Sequence, residues 1–105
     1  MRNVIKKEVK INDKTVTGIE VNLNDGHIVM IICDNGLLAC GAIDYAVMEK
    51  FGFSAAIARG TPEKPLKYVD DLLNAKVIEV TTNAKSMGVK VGMAGKEVVE
   101  KFSYR

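Results

Sequence analysis

Residues 26–44 read GHIVMIICDNGLLACGAID, and this stretch decides the fold. The unbroken apolar run over residues 28–33 predicts a central strand that is covered on both faces of a sheet. Residues 34–36, Asp-Asn-Gly, tolerate a positive φ, so they predict a hairpin with Asn35-Gly36 as its two-residue loop. The return strand of this hairpin is then expected over residues 37–41.

The period of the apolar pattern changes after this hairpin. Ile43, Ala46, Val47 and Phe51 follow the spacing of one helical stripe, which Gly52 is placed to end. Because a strand–helix–strand unit usually makes a right-handed crossover to a parallel neighbour, the rest of the chain predicts a βαβαβ half with three parallel strands. Those strands are expected at 37–41, 53–59 and 76–82, with helices at 43–51, 66–73 and 93–102 and one helical turn at 83–87.

Upstream of the hairpin, the chain predicts two further strands, over residues 4–11 and 15–23. The second strand alternates, with Ile19, Val21 and Leu23 on one face and polar residues on the other. Gly18 interrupts it and predicts a bulge or a close backbone approach. The expected fold class is therefore α/β, bordering on α+β. It is a mixed sheet with an N-terminal antiparallel meander, a βαβαβ half and a C-terminal helix, in one domain over residues 1–105.

Composition limits the classes of partner. Fifteen Lys and Arg residues against thirteen Asp and Glu residues leave a net charge of +2, which favours neither nucleic acid nor an anionic membrane as a partner. Hydrophobic residues make up 48% of the 105, enough for a core. The charged N-terminus does not match a signal peptide, and the longest apolar run is too short to cross a bilayer, so a cytoplasmic location is expected.

The two cysteines and the single histidine exclude a disulfide framework and a zinc set of ordinary composition, so no structural metal is expected. With Asn35-Gly36 as the loop, Cys33 would face Leu38 and Cys40 would face Ile31, so no disulfide is expected either. His27 follows a turn and is interpreted as the first residue of a strand. No cofactor is indicated by any motif.

The first candidate site is residues 40–44, Cys-Gly-Ala-Ile-Asp, between a predicted strand and a predicted helix. Open α/β sheets place ligands at such strand ends, and Gly41 would allow a close approach. Cys40 at a helix N-terminus is a candidate nucleophile, although a small buried apolar role fits as well. Asp44 is either a ligand-binding residue or the cap of the helix.

Two further segments could bind an anion. Arg59 ends an apolar strand and could hold a carboxylate or phosphate bidentately, pair with Asp70 or Asp71, or extend into solvent. Residues 88–97 contain Gly92, Gly95 and Lys96 before the last helix, but their spacing matches neither a phosphate-binding loop nor a dinucleotide fingerprint. These glycines are expected either to bind an anion or to permit a tight turn and close packing.

If the three strands run parallel, Cys40, Arg59 and Thr82 emerge at one edge of the sheet. The leading hypothesis is therefore a protein that binds a small anionic ligand there, through Gly41, Asp44, Arg59, Gly92, Gly95 and Lys96. The alternatives are a small enzyme with Cys40 as the nucleophile and an interaction protein without a catalytic site. Homo-oligomerisation is expected because one layer of short helices leaves part of the sheet uncovered.

Two motifs also resemble a known family. Residues 40–44 match a Cys-Gly-Ala-aliphatic-Asp segment, and residues 88–97 match a Gly-aliphatic-Lys-Val-Gly-Met-x-Gly-x-Glu segment before a final helix. Both are similar to segments of the YunC-like family of small bacterial and archaeal proteins, and the resemblance spans roughly residues 15–103. It implies a compact α/β domain and supplies no substrate.

Overall fold

The computed structural model describes residues 3–103, which build a six-stranded mixed sheet with four helices. The strands lie side by side in chain order, with an N-terminal antiparallel meander and a C-terminal helix, as predicted. The expected single domain also takes in residues 1–2 and 104–105, which lie outside the described residues. The elements are β1 Asn3–Ile11, β2 Lys14–Leu23, β3 Gly26–Cys33, β4 Gly36–Cys40, α1 Tyr45–Lys50, β5 Ala55–Ala58, α2 Val69–Asn74, β6 Val77–Val80, α3 Thr82–Ser86 and α4 Gly95–Ser103.

The expectation of three parallel strands is right for one pair and wrong for the other. β4 and β5 run parallel, whereas β6 runs antiparallel to β5, with Ala58 opposite Val77. The reason is the path of the segment that connects β5 to β6. This segment leaves the end of β5, crosses the sheet as far as Glu20 on β2 and then returns. The amide of Val69 donates to Glu20 Oε2 at 2.8 Å, and α2 brings the chain back to the same end. A connection that returns to the end it left makes its strands antiparallel.

The hairpin between β3 and β4 is also shifted from the predicted register. Cys33 pairs with Gly36 and Ile31 pairs with Leu38, so the loop is residues 34–35. Gly36 is needed for packing, because a Cβ there would overlap the ring of Phe102. Gly36 does not have a positive φ, so its role in the turn is not the predicted one. Both cysteines are free and buried, in agreement with the absence of a disulfide.

One face of the sheet carries the core. Helices α2 and α4 contact β2, β3 and β4 on this face and cover Val29, Ile31 and Leu38, which are fully buried. Gly18 lies here too, and a Cβ at this residue would be 2.6 Å from Val69 Cγ2, which confirms the predicted close approach. The core cluster consists mainly of aliphatic side chains, together with Phe102.

The opposite face is open over its centre. Helix α1 packs mainly against β5, and a groove beside it is lined by Met30, Ile32, Leu37, Met48 and Phe53, among others. Ile32 is 47% exposed. Within residues 3–103, no helix has the length and apolar character that crossing a membrane requires.

Candidate functional site

The parallel pairing of β4 and β5 brings two of the predicted site residues to one end of the sheet. Cys40 pairs with Ala58, so Arg59 follows immediately at the same end. A Cβ at Gly41 would lie 2.8 Å from Arg59 Cγ, which shows that the arginine stem lies against the glycine backbone. Thr82 does not join them, because β6 runs the other way and the amide of Thr81 donates to Ala55 at the start of β5.

Arg59 forms an ion pair that differs from the predicted ones. Its Nη2 donates to Glu79 Oε1 on β6 at 3.0 Å, whereas Asp71 accepts hydrogen bonds from the amides of Lys67 and Tyr68 at the start of α2. The side chain of Arg59 remains 56% exposed. A guanidinium carries five N–H donors, so the contact with Glu79 leaves others for a ligand.

Asp44 caps the helix that follows this sheet end. Its Oδ1 accepts a hydrogen bond of 2.8 Å from the amide of Ala46, at the first turn of α1. Asp44 and Arg59 line a shared depression together with Glu79 and residues 41–43, here called the arginine groove. The groove thus holds one cationic and two acidic side chains.

A larger cavity lies on the other side of the Gly41 backbone. This cavity, here called the thiol cleft, has a volume of about 560 Å³ and is lined by residues 23–27, 40–42, 60–61 and 65–66. Cys40 forms part of its wall and is 5% exposed. Its sulfur atom lies 3.5 Å from the amide nitrogen of Val29 on the neighbouring strand.

His27 also lines the thiol cleft, and sequence reasoning missed it as a site residue. Its Nδ1 lies 2.8 Å from Asn22 Oδ1, directly across β2 and β3, and its ring centroid is 6.3 Å from that of Tyr68. The property that could have identified His27 is the register of the two hairpins, because this register places His27 and Cys40 on the same face of the sheet. Residues adjacent in the sequence do not reveal the register.

Glu20 anchors the end of the segment between β5 and α2, which contributes residues 60–61 and 65–66 to the cleft. Its carboxylate is only 1% exposed, accepts the amide of Val69 and pairs with Lys7 Nζ at 3.1 Å. Because this contact ties the start of α2 to β2, it also fixes Tyr68 beside His27. Glu20 is therefore a structural residue of the site and does not line the cleft.

The glycine-rich segment before α4 is placed apart from both cavities. A Cβ at Gly95 would overlap the carbonyl oxygen of Leu72, so this glycine permits α2 and α4 to approach closely. Gly92 has a φ of 95° and donates its amide to Val77, which makes it a turn residue beside β6. Lys96 is exposed and, like both glycines, lines neither the thiol cleft nor the arginine groove.

The second cysteine differs from Cys40 in its surroundings. Burial raises the pKa of Cys33 to about 12, so its thiol stays protonated at neutral pH. Within the described part of the chain, no three His, Cys, Asp or Glu side chains are grouped so as to hold a metal ion. Of the two cysteines, Cys40 is the one that lines the thiol cleft.

The chain is similar to proteins already described. A family model described as a domain of unknown function (DUF1805) matches residues 39–102, which include both glycine-containing motifs. The uncharacterized protein YunC of Bacillus subtilis is 30% identical over 94 residues, covering 90% of this chain and 92% of YunC. The crystal structure of TA1206, a protein of unknown function from Thermoplasma acidophilum, superposes with a TM-score of 0.87 at 24% identity, covering 97% of this chain and 95% of TA1206.

The structural match shows that the fold is shared over nearly the whole of both chains. The family match spans more than half of the chain, and the relationship to YunC extends over nearly all of it. The protein therefore belongs to the DUF1805 family and is YunC-like, as its two motifs predicted.

Proposed function

We propose that the protein binds a small ligand with an acidic group at the end of the sheet where β4 and β5 meet. The observation that carries this proposal is the position of Arg59, which lines the arginine groove and lies against Gly41, a residue that lines both the groove and the thiol cleft. Its guanidinium would hold the acidic group, and the thiol cleft would take the remainder of the ligand. Gly41 supports this arrangement because its missing side chain lets the arginine stem approach the backbone.

The ion pair with Glu79 supports a defined orientation of Arg59. A carboxylate at 3.0 Å directs the guanidinium, and the exposed remainder of the group can take a carboxylate or phosphate bidentately. Asp44 is engaged in capping α1, so in this proposal it shapes the groove and bonds no anion. Gly92, Gly95 and Lys96 lie outside both cavities, and the proposed ligand does not need them.

Binding can be tested by thermal shift and calorimetry with inorganic phosphate, pyrophosphate and a series of small mono- and dicarboxylates. We expect at least one probe to raise the melting temperature, and Arg59→Gln to weaken its binding at least about tenfold, since a hydrogen bond to a charged group contributes about 1.5–3 kcal/mol. Lys96→Gln removes the same charge and serves as the control that should retain binding. Equal weakening in both variants would contradict the proposal, as would no binding by any probe.

The alternative of an enzyme with Cys40 as the nucleophile has one observation in its favour. Although Cys40 belongs to the buried core, it also forms part of the wall of an open cleft. Binding and catalysis would use the same sheet end, so the second function is compatible with the first.

We also propose that the chain self-associates through the open sheet face. Ile32 on β3 pairs with Leu37 on β4, and both line the open groove together with Met30; exposed apolar areas of this kind mark interaction surfaces. A second copy is the occupant that suits the face, because a two-fold contact uses the same patch twice and can bring Lys6 of one copy to Glu8 of the other. Both of these residues lie on β1 toward that face.

Sedimentation velocity at micromolar concentration tests this proposal. We expect a dimer or larger assembly, and Ile32→Glu should convert it to a monomer because a charge would be buried in the contact. Val91→Glu is the matched control, since Val91 is exposed in the segment before α4 and does not line the groove on this face. A monomeric unmodified chain, or an unchanged assembly in Ile32→Glu, would overturn the proposal.

A further inference from the structure

We propose that Cys40, His27 and Asn22 form a nucleophilic site in the thiol cleft, which takes the acyl group of a small ester or thioester. The inference rests on the proposed function only in using the same cleft. It assigns Cys40 as the attacking group, His27 as the residue that accepts and returns its proton, and Asn22 as the residue that positions His27.

The first step is the placement of His27 relative to Cys40. The β3–β4 register continued by one residue sets Val29 opposite Cys40, in agreement with the contact between the Val29 amide and Cys40 Sγ. His27 precedes Val29 by two residues and therefore lies on the same face, diagonal to Cys40. Diagonal neighbours in a sheet are about 7–8 Å apart, within reach of a ring and a thiol, and both side chains line one cavity.

The second step is the protonation of the His27 ring. Asn22 Nδ2 donates to Asn3 Oδ1 at 2.7 Å, so the amide of Asn22 turns its oxygen toward His27. An oxygen acceptor requires Nδ1 to carry a hydrogen, so in the neutral ring it is Nε2 that has the lone pair. The cross-strand pairs Asn3–Asn22 and Asn22–His27 thus build a row of side chains that fixes the orientation and the neutral tautomer of the ring.

The third step is the reaction that such a set supports. An imidazole that shares a cavity with a thiol, and is itself oriented by an amide oxygen, is the arrangement that cysteine acyl transfer uses. The proton of Cys40 moves to Nε2 of His27 while sulfur bonds to the acyl carbon, and the C–O or C–S bond to the leaving group breaks. The leaving group takes the proton from His27. Water then hydrolyses the acyl-cysteine, and His27 relays one water proton back to sulfur.

Cys33 provides an internal reference for this chemistry. It is buried, its pKa is about 12, and it lies at the other end of β3, so it should not react with an acyl donor near neutral pH. A Cys33→Ala background therefore isolates Cys40 without touching the proposed site.

The test uses the full chain in that background, with p-nitrophenyl acetate as the acyl donor. We expect a burst of one equivalent of p-nitrophenolate and one acetyl group on Cys40 by mass spectrometry. His27→Ala should slow acetylation on the order of a hundredfold, and added imidazole should restore much of it. Asn22→Ala should slow it less, and Asn22→Asp, which keeps an oxygen acceptor at this position, should retain most of the rate.

Any of the following results would contradict the inference. No acetyl group on Cys40, or the same rate with and without His27, would show that the thiol is not activated by the histidine. A slow His27→Ala variant that imidazole fails to restore would show that the ring acts only in packing. Because Arg59→Gln tests ligand binding separately, binding without acetylation would overturn this inference and leave the proposed function standing.

Discussion

Gly95→Ala should lower the free energy of unfolding by about 3 kcal/mol, an unusually large effect for adding one methyl group. The new Cβ would overlap the carbonyl oxygen of Leu72 and lie 2.9 Å from Leu73 Cα. Both are backbone atoms, so no side chain can rotate away, and α2 and α4 would have to separate. The amide of Gly95 also donates to Ala75 at 2.8 Å, which holds the helices at this distance.

Thermal unfolding measures this effect, and we expect the melting temperature to fall by more than about 10 °C. Gly26→Ala is the matched control, because a Cβ at Gly26 meets no atom within 4 Å, and the change should be within about 0.5 kcal/mol. Equal stability of Gly95→Ala and Gly26→Ala would show that the helices tolerate the extra carbon. The interpretation of Gly95 as a packing residue would then be wrong.

The elements of this fold were predictable where the determinants are local. Apolar periodicity and apolar runs located all six strands and the C-terminal helix, and a hairpin turn followed β3 as expected, with Asp34-Asn35 as its loop in place of the predicted Asn35-Gly36. The register of that hairpin was not predictable from its turn residues, because Gly36 is required by Phe102, which lies 66 positions further along the chain. The direction of β6 was not predictable either, since it depends on the contact between Glu20 and Val69, 49 positions apart.

The candidate site was also predictable in part, again where its determinants are local. The parallel β4–β5 pair places Cys40 and Arg59 at one end of the sheet, as their positions at strand ends predicted. The ion pair of Arg59 with Glu79 and the row from Asn3 to His27 depend on strand neighbours that are distant in sequence. The sequence around His27 therefore did not indicate that Asn22 on the neighbouring strand is its hydrogen-bond partner.

Phe102→Ala should produce the largest loss of stability, about 3–5 kcal/mol. The ring is fully buried, and its edge lies where a side chain at position 36 would be. Removing it leaves a cavity between α4 and β4, and the hydrogen bond from the Asn35 amide to the Phe102 carbonyl at 3.0 Å loses the packing that supports it. Urea unfolding of the purified variant measures the change directly.

A double-mutant cycle with Gly36 separates this packing from a general loss of apolar area. Gly36→Ala alone should cost about 2 kcal/mol, because its Cβ would overlap the Phe102 ring. In the Phe102→Ala background the same methyl group enters vacated space, so it should have little effect or stabilise the chain. We therefore expect the double variant to be more stable than the sum of the single changes by at least about 1 kcal/mol. Additive losses would mean that the two residues do not share one space, and that the shifted register of the β3–β4 hairpin has another cause.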